Sequence, residues 1–517
     1  MTQQKNRRTP RQNGQPRAEG ARDGARNTGT TPPAQPSRDA AGKKARPAEA
    51  RKQDAPKQDA PKPVAAAAGR TPDDHRTDDR RSDGRRTDSR TDPRAGRRAG
   101  DPGPDPAPPS LTRRRLLGTA GAAGAAGLVV GGAAGAVGAE VVREDAPTPL
   151  SSVGATSVDF RGDRHQPGIT TPMQARGHLL AFDLVPGADR RAVIALLRRW
   201  SATAERLMAG EPQSGGADTG IALDAGPSSL TVTFGFGRSF FGRTGLTARL
   251  PEALAPLPDF SADVLDPRRS NGDLWVQIGA DDALVAFHAL RAVQRDAGDA
   301  ARLRWQMNGF NRSPGATARP MTTRNLMGQV DGTNNPKPGD PDFARRVFVP
   351  ADGSPEWMAG GSYAVVRRIR MLLDSWDNLS LERQEKVIGR RKSDGAPLSG
   401  GTETTPVDLA KLTPEGSLAI AGDAHVRVAA PESNQGAAML RRPFSYHDGF
   451  LDDGAPDAGL LFIAWQADPM KGFVPVQRKL DRGDGLSRFL RHEASGLFAV
   501  PPAPEPGSYV GRALLEG

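Results

Sequence analysis

The alternation of apolar and polar positions predicts a repeated order of strands and helices between residues 177 and 500. In the first repeat, strands with a two-residue period flank helices with a 3.6-residue period. Its segments are, in order, the strand GHLLAFDLV, the helix ADRRAVIALLRRWSATAERLM, the strands SLTVTFGFG and DLWVQIGAD, the helix DALVAFHALRAVQRDAG and the strand ARLRWQMNGF. This is the β-α-β-β-α-β order of a split βαβ unit.

A second, looser repeat follows the first. Its segments are the strand GSYAVVRRIRM, the helix LSLERQEKVIGR, the strands MLRRPFSYHD and GLLFIAWQAD, the helix DGLSRFLRHE and the strand SGLFAV. Two such units predict an α+β fold with two antiparallel sheets. Loop-forming residues between Pro336 and Pro355 place the boundary there, which gives modules at 140–345 and 346–517.

The first 111 residues lack this patterning. Before Leu111 there is no Phe, Trp, Tyr, Ile or Leu, and Val64 is the only branched aliphatic residue. Because so little apolar surface does not offset chain entropy, residues 1–111 are predicted to be a disordered, low-complexity tail. Two interpretations account for this tail: it is a solvated spacer, or the start codon has been placed too far upstream. Binding of a polyanion by the tail is the less favoured alternative.

Charge and cysteine content exclude several classes of protein. Residues 1–115 hold 28 of the 71 basic residues and 15 of the 60 acidic ones, so the rest is nearly neutral with 43 and 45. A neutral body argues against a specific nucleic-acid partner, which would need a basic face. The chain has no cysteine. This excludes disulfides, iron–sulfur clusters, c-type or thiolate-ligated heme and a thiol nucleophile. A chain without thiols also suits export to an oxidising compartment.

The composition changes abruptly after the tail. TRRRLL, beginning at Thr112, precedes an uncharged, Gly- and Ala-rich stretch that ends at Ala139. Residues 112–139 resemble a twin-arginine export signal, with small residues before a cleavage site at 137–139. A membrane anchor is the alternative, but the many glycines favour cleavage. We therefore expect export by the twin-arginine machinery to the periplasm, the cell surface or the medium, although the position beyond residue 110 is unusual.

Seven sequence blocks carry a wider resemblance, which covers nearly all of residues 160–502. They are HQPGI at His165, GFGRSFF at Gly235, GQVDGTNNP at Gly328, GGSYAVVRRIRMLLDSWD at Gly360, IGRRKSDGAPLSG at Ile388, DAHVRVAAPESNQGAAMLRRPFSYHDG at Asp423, and GFVPVQRKL with FLRHEASGLFAVPP near the end. In this order they resemble the dye-decolorizing peroxidases, most closely the exported branch that includes the deferrochelatase/peroxidases of bacterial iron uptake. The resemblance implies two ferredoxin-like modules and one heme b, in agreement with the doubled pattern.

The resemblance implies that His425, in the AHVRVAAP stretch, is the axial ligand of the heme iron. Without cysteine the iron must be held by His, Tyr or Met, and a neutral imidazole suits a peroxidase. A hydrogen-bond acceptor should hold the ring, but the sequence does not identify it. The competing histidines are His165, His178, His288, His447 and His492, and of these only His165 lies in a family-like block.

Asp331 and Arg441 match the catalytic residues of the distal side. Asp331, in the sequence GxxDGT, matches the acid–base residue that moves a proton between the peroxide oxygens, although an Asp-Gly pair alone usually marks only a turn. Arg441 matches the arginine that stabilises negative charge. Since neighbouring strand residues face opposite ways, only one of Arg441 and Arg442 enters the pocket. Pro443 stands where many relatives have glycine.

Further residues are assigned to cofactor binding by the same resemblance. Gly332, Thr333 and Asn334 follow the catalytic turn, where Gly332 lets the backbone approach the heme and Asn334 and Asn335 are expected near a heme propionate. Phe462 is expected to line the distal face, although an apolar strand residue is first of all a core residue. Three aromatic residues are candidates to relay electrons from bulky donors, with burial in the core as the favoured alternative: Tyr446, Trp465 and Trp376.

The sequence leaves three hypotheses for function. The first is a heme peroxidase that reduces hydrogen peroxide and oxidises dyes, phenolics or other aromatic reductants. The second is an iron-acquisition protein that releases iron from heme and works with iron-uptake partners. The third is a heme-binding protein without useful turnover. A homo-oligomer is compatible with the sequence, which does not fix the oligomeric state.

Overall fold

The computed structural model of the protein describes residues 151–213, 218–317 and 322–517. The predicted tail, 1–111, and the predicted export segment, 112–139, lie outside the described residues. No helix in the described part of the chain is long and apolar enough to cross a membrane.

The N-terminal half of the described chain contains four strands and four helices. The strands are β1 (Arg176–Leu184), β2 (Thr231–Gly237), β3 (Leu274–Ala280) and β4 (Ala301–Phe310). The helices are α1 (Ser152–Ala155), α2 (Arg190–Met208), α3 (Arg238–Arg243) and α4 (Ala283–Ala297). The two long helices begin where the chain offers an N-cap, because the side chains of Asp189 and Asp282 accept hydrogen bonds from backbone N–H groups in the first turns of α2 and α4.

The C-terminal half contains five strands and six helices. The strands are β5 (Ser362–Met371), β6 (Leu440–Arg441), β7 (Phe444–Phe450), β8 (Pro456–Gln466) and β9 (Leu490–Val500). The helices are α5 (Phe343–Val347), α6 (Leu373–Asp377), α7 (Leu381–Ile388), α8 (His425–Val428), α9 (Phe473–Gly483) and α10 (Arg512–Glu516).

Each half forms a four-stranded antiparallel sheet with its strands in the ferredoxin-like order. The order is β4-β1-β3-β2 in the first half and β9-β5-β8-β7 in the second, with β6 continuing the edge beside β8. The fold predicted from the doubled pattern is therefore confirmed. The module boundary at 345/346 stays a prediction.

The two sheets join at both edges, which the sequence did not predict. Phe236 and Gly237 of β2 pair with β9, and Phe310 of β4 pairs with Ser445 of β7. The sheets therefore form one continuous ring of strands. Trp275 from the first sheet packs against Trp465 and Phe498 from the second, with ring centroids 5.9 and 5.4 Å apart, so the halves share a buried core.

Two of the predicted elements differ from the structure. The segment DGLSRFLRHE is not a helix: a single 3₁₀ turn at Ser487–Phe489 leads directly into β9, and the helix of this region is α9. Pairing of β9 with β5, which begins at Leu490, overrides the helical spacing of this segment. The predicted strand MLRRPFSYHD is divided into β6 and β7 at Pro443, which has no N–H to donate.

The pairing of β5 with β8 in the second sheet gives a test of the fold. An added Cβ at Gly459 would lie 2.0 Å from the carbonyl oxygen of Ile369. We predict that Gly459→Ala lowers the free energy of unfolding by about 3 kcal/mol, because the backbones of β5 and β8 must separate. Gly242→Ala in α3 is the matched control, since its new methyl group meets nothing within 4 Å. Equal denaturant midpoints for the two variants would contradict the pairing.

Candidate active site

One cavity lies between β5, β8 and β9 on one side and α8 and α9 on the other, and is called the inner cavity. Its volume, taken as the space open to the centre of a water molecule, is about 330 Å³. Most of the side chains from these strands and helices that line it are apolar. Seven residues matched to the family's site line it: Asp331, Gly332, Thr333, Asn334, His425, Arg441 and Phe462. Asn335, which was also expected near a heme propionate, does not line it.

Asp331 reaches the inner cavity from a tight loop. Thr323 accepts a hydrogen bond from the Asp331 N–H at 2.9 Å, which closes the loop at its base. The Asn325 amide donates to Asp331 Oδ2 at 3.3 Å. Gly332 follows with φ +119°, a value that side-chain-bearing residues rarely adopt, so the chain turns sharply immediately after the carboxylate.

Arg441 and Asp331 form an ion pair at the cavity. Arg441 Nη1 donates to Asp331 Oδ1 at 2.8 Å, and both side chains are partly buried. The Asn335 side chain binds the Arg441 backbone twice, donating to its carbonyl at 2.7 Å and accepting from its N–H at 3.2 Å. Arg442 points away and donates to the carbonyl oxygens of Thr171 and Pro172, so only the first arginine lines the cavity.

His425 is held by a buried carboxylate. As the first residue of α8, it places its ring in the inner cavity, and Nδ1 lies 3.0 Å from Asp484 Oδ2. The Asp484 side chain is 1% exposed and accepts further hydrogen bonds from Leu486 N–H at 3.0 Å and Ser487 Oγ at 3.3 Å. Because Nδ1 is engaged, Nε2 is the ring nitrogen left for a ligand.

Opposing effects set the pKa of His425. Burial by itself lowers the pKa, while the charge of Asp484 and its hydrogen bond raise it. The net pKa lies above the ordinary value for histidine. The charges of Arg441 and Asp331 also act on this pKa, with opposite signs, so the two polar pairs lie within electrostatic range of each other.

Thr333 and Arg390 form a polar part of the cavity wall. Thr333 Oγ1 donates to Glu403 Oε1 at 2.9 Å, and Arg390 Nη1 donates to the Glu403 carbonyl at 2.9 Å. Burial lowers the pKa of Arg390, and Arg441 adds to the effect. Phe462 of β8 lies on the apolar part, with its ring 6.0 Å from that of Phe473.

A second histidine, His492 of β9, also lines the inner cavity. Burial, reinforced by the charge of Arg367, lowers its pKa to about 3, so its ring is neutral. Unlike His425 it has no carboxylate partner, and its Nδ1 makes no hydrogen bond within the described structure. The other competitors His165, His178, His288 and His447 do not line this cavity.

The three aromatic relay candidates are buried, as the favoured alternative expected. Tyr446, Trp465 and Trp376 are each 0% exposed. Arg368 lies over the Tyr446 ring with 4.0 Å between guanidinium carbon and ring centroid. Trp376 donates to the Met327 carbonyl at 3.2 Å. None of the three lines the inner cavity.

Comparison with known proteins assigns the family. Residues 166–311 match the N-terminal domain of Dyp-type peroxidases, and residues 322–505 match the C-terminal domain. The chain belongs to the Dyp-type peroxidase family. It is therefore a heme peroxidase, an oxidoreductase that acts on peroxide, as the sequence resemblance implied.

Three relatives illustrate the similarity of this Dyp-type peroxidase. A dye-decolorizing peroxidase from Thermobifida fusca is 45% identical over 424 residues, covering 78% of this chain and 97% of the relative. A deferrochelatase from Escherichia coli (strain K12) is 36% identical over 385 residues, covering 71% and 90%. The solved structure of ferric DtpA from Streptomyces lividans is 72% identical with a TM-score of 0.70, covering 72% of this chain and all 100% of that one.

Sequence reasoning missed several residues of this site. The sequence did not assign four residues that line the cavity: Asp484, Arg390, Asn325 and His492. Asp484 bonds His425 and Asn325 bonds Asp331. These positions depend on tertiary contacts, which the sequence pattern does not show.

The pairing of His425 with Asp484 predicts a defined pH dependence in the heme-free protein. Asp484→Asn removes the negative charge, so we expect the pKa of His425 to fall, measured by NMR titration of its ring nitrogens. Because the pKa of His425 is raised in the folded state, its pair with Asp484 stabilises the fold fully at pH below the unfolded-state pKa of 6.5. This stabilisation is lost as the pH rises through the folded-state pKa.

The stability difference between wild type and Asp484→Asn should therefore shrink with rising pH. Asp481→Asn is the matched control on α9, because Asp481 bonds Ser261 and not His425. A difference that grows with pH, or an equal pKa change in the control, would contradict the assignment.

Proposed function

We propose that the inner cavity holds heme with His425 as axial ligand, and that Asp331 and Arg441 carry out the proton and charge steps of peroxide reduction. One observation carries the proposal. A single apolar cavity is lined both by a histidine bonded to a buried carboxylate and by an Asp–Arg ion pair. Peroxidase chemistry at heme needs both an axial imidazole and a proton-transferring group.

The residues present fit a heme in their chemistry. The apolar side chains from β5, β8 and α9 suit the faces and edges of a porphyrin. The free Nε2 of His425 is a suitable ligand atom, and the Asp484 carboxylate strengthens it as a donor. Arg390, Thr333 and Asn334 supply cationic and polar groups to the cavity, as the carboxylates of heme require.

Asp331 would move the proton. When bound, heme supplies a redox-active iron at which the O–O bond of peroxide is cleaved and two oxidising equivalents are stored. Before cleavage one peroxide oxygen must lose a proton and the other must gain one, and the Asp331 carboxylate, which lines the cavity, would accept and return it. Its second oxygen stays bonded to Asn325, which fixes the direction of the carboxylate.

Arg441 would stabilise the negative charge that develops on the departing oxygen. Its guanidinium stays protonated, so it acts as a fixed charge and does not compete with Asp331 for the proton. The double hydrogen bond from Asn335 to its backbone holds Arg441 in place. The expected electron donors are dyes, phenolics and other aromatic reductants.

Release of iron from heme is the second hypothesis, and it is supported by the 36% identity to the deferrochelatase. The peroxidase function is supported over it, because both domains match the peroxidase family and the relative at 45% identity is a dye-decolorizing peroxidase. Iron-uptake partners belong to the second hypothesis alone.

The roles of the two polar pairs can be separated by spectroscopy of heme-reconstituted protein. We predict that His425→Ala loses the Soret band, because the iron loses its ligand. Arg441→Leu should keep the band but slow the bimolecular reaction with peroxide by about 100-fold, since a fixed charge at the reacting oxygen is lost. Arg441→Lys, which keeps the charge, should recover part of the rate.

Two results would contradict these roles. A Soret band that persists in His425→Ala but disappears in His492→Gln would move the ligand to the other cavity histidine. An unchanged rate constant in Arg441→Leu would remove Arg441 from the reaction.

We also propose that residues 112–139 direct export by the twin-arginine route. The supporting observation is the arginine cluster that precedes an uncharged, small-residue stretch. In a bacterium with this export route, replacing Arg113 and Arg114 by lysine should keep the protein in the cytoplasm, measured by fractionation and immunoblotting. The same replacement at Arg97 and Arg98 in the tail is the matched control and should leave export unchanged. Export of both variants would rule out the signal.

A further inference from the structure

Three methionines line the inner cavity, and they are called the cavity methionines: Met327, Met371 and Met439. Their exposed fractions are 2%, 4% and 8%. Because the chain has no cysteine, its sulfur is confined to methionine. A thioether packs well against an apolar ligand, but it also takes up an oxygen atom from peroxide and becomes a sulfoxide. The wall of a cavity assigned to peroxide chemistry therefore contains side chains that react with the same oxidant.

Met327 belongs to the loop that carries Asp331. The Met327 N–H donates to Asn325 Oδ1 at 3.0 Å, and the amide of the same Asn325 side chain donates to Asp331 Oδ2 at 3.3 Å. The Trp376 indole N–H donates to the Met327 carbonyl oxygen at 3.2 Å. These bonds hold Met327 in the same tight loop as the residue that would move the peroxide proton.

The other two cavity methionines are also linked to the residues proposed to act on peroxide. Met371 is the last residue of β5 and belongs to the same buried apolar cluster as Met327. Met439 immediately precedes β6, the strand that contains Arg441. The loop of Asp331, the apolar cluster behind it and the strand of Arg441 therefore each contribute one methionine to the cavity wall.

Three other methionines are buried to the same degree without lining the inner cavity, and they are called the control methionines: Met208, Met307 and Met358. Their exposed fractions are 0%, 4% and 0%. Burial protects a thioether from peroxide in the solvent, and it protects both sets alike. Met307 and Met371 form the best-matched pair, since each is 4% exposed. A difference in oxidation between the two sets would therefore have to come from the cavity.

We propose that the cavity methionines are sites of oxidative modification: in peroxide without an electron donor, the enzyme converts their thioethers into sulfoxides and thereby loses activity. The inference rests on the proposed function, since it requires peroxide to be cleaved in the inner cavity. It makes the enzyme's own side chains the reductant when dyes and phenolics are absent.

The oxidation step balances with hydrogen peroxide as the only oxidant. The sulfur of one methionine loses two electrons and gains one oxygen atom, while the O–O bond of the peroxide breaks. The other oxygen leaves as water and carries both hydrogens. The proton that passes from one peroxide oxygen to the other is the proton assigned to Asp331, so no further reactant is needed.

A sulfoxide changes the cavity wall in two ways. It is polar, so it places an acceptor without a partner against an apolar ligand. It is also larger than the thioether, and a closely packed interior accommodates added volume poorly. At Met327 the added oxygen strains the loop that Asn325 ties to Asp331. Activity is therefore expected to fall as sulfoxide accumulates.

The modification is tested by peptide mass spectrometry of the heme-loaded enzyme after a few equivalents of peroxide without a donor. Sulfoxide should appear at the cavity methionines and stay at background at the control methionines. Heme-free protein treated in the same way should show sulfoxide at neither set. Met470, which is 39% exposed, should be oxidised in both samples and confirms that the reagent is active. The donor ABTS, added before peroxide, should suppress the sulfoxides of the cavity methionines.

The effect on activity is tested with a triple variant in which each cavity methionine is replaced by leucine, a replacement that nearly conserves volume. Because leucine takes up no oxygen, this variant should complete at least about three times as many turnovers as wild type before its activity is lost. The matched control replaces the three control methionines by leucine and should leave the number of turnovers unchanged.

The outcomes distinguish this inference from the proposed function. Equal oxidation of Met307 and Met371, or equal oxidation of the cavity methionines with and without heme, would overturn the modification by the cavity. Equal numbers of turnovers in the two triple variants would overturn the loss of activity through sulfoxide. The change of the Soret band on adding peroxide should be the same in wild type and in the cavity variant. Absence of that change in wild type would instead overturn the proposed function.

Discussion

The ion pair between Asp331 and Arg441 joins segments that are 110 residues apart at one cavity. Charged groups are costly in apolar surroundings unless they are paired. The Asp331 and Arg441 side chains can line the inner cavity because the loop before Asp331 meets the edge strand β6 there. Asn335 strengthens this meeting through two hydrogen bonds to the Arg441 backbone. The segment between β4 and β5, which connects the two sheets along the chain, is therefore also the segment that brings Asp331 to the inner cavity. The joined fold and the cavity depend on each other.

Most of the fold could be predicted because it follows from local periodicity. The strands β1 to β5 and β8 and the helices α2, α4 and α7 lie where apolar spacing placed them. Predictions failed where a partner distant in sequence decides. The residues from Leu490 have helical spacing, but β5 offers them a full antiparallel pairing, and strand formation prevails. The two sheets join through only one residue pair between β4 and β7 and two residue pairs between β2 and β9, and no periodicity in these segments encodes the contacts.

The candidate site shows the same difference between features that local sequence predicts and features that depend on distant contacts. The residues that the sequence assigned to the site lie in short motifs, and alternation along a strand correctly separates Arg441, which lines the cavity, from Arg442, which does not. The residues that hold them are dispersed: Asp484 lies 59 residues from His425. A carboxylate is an ordinary surface residue in a sequence, and only its burial beside an imidazole reveals its role. The chemistry of a ligating imidazole requires a hydrogen-bond acceptor for His425, but the sequence does not show which of the many acidic residues it is.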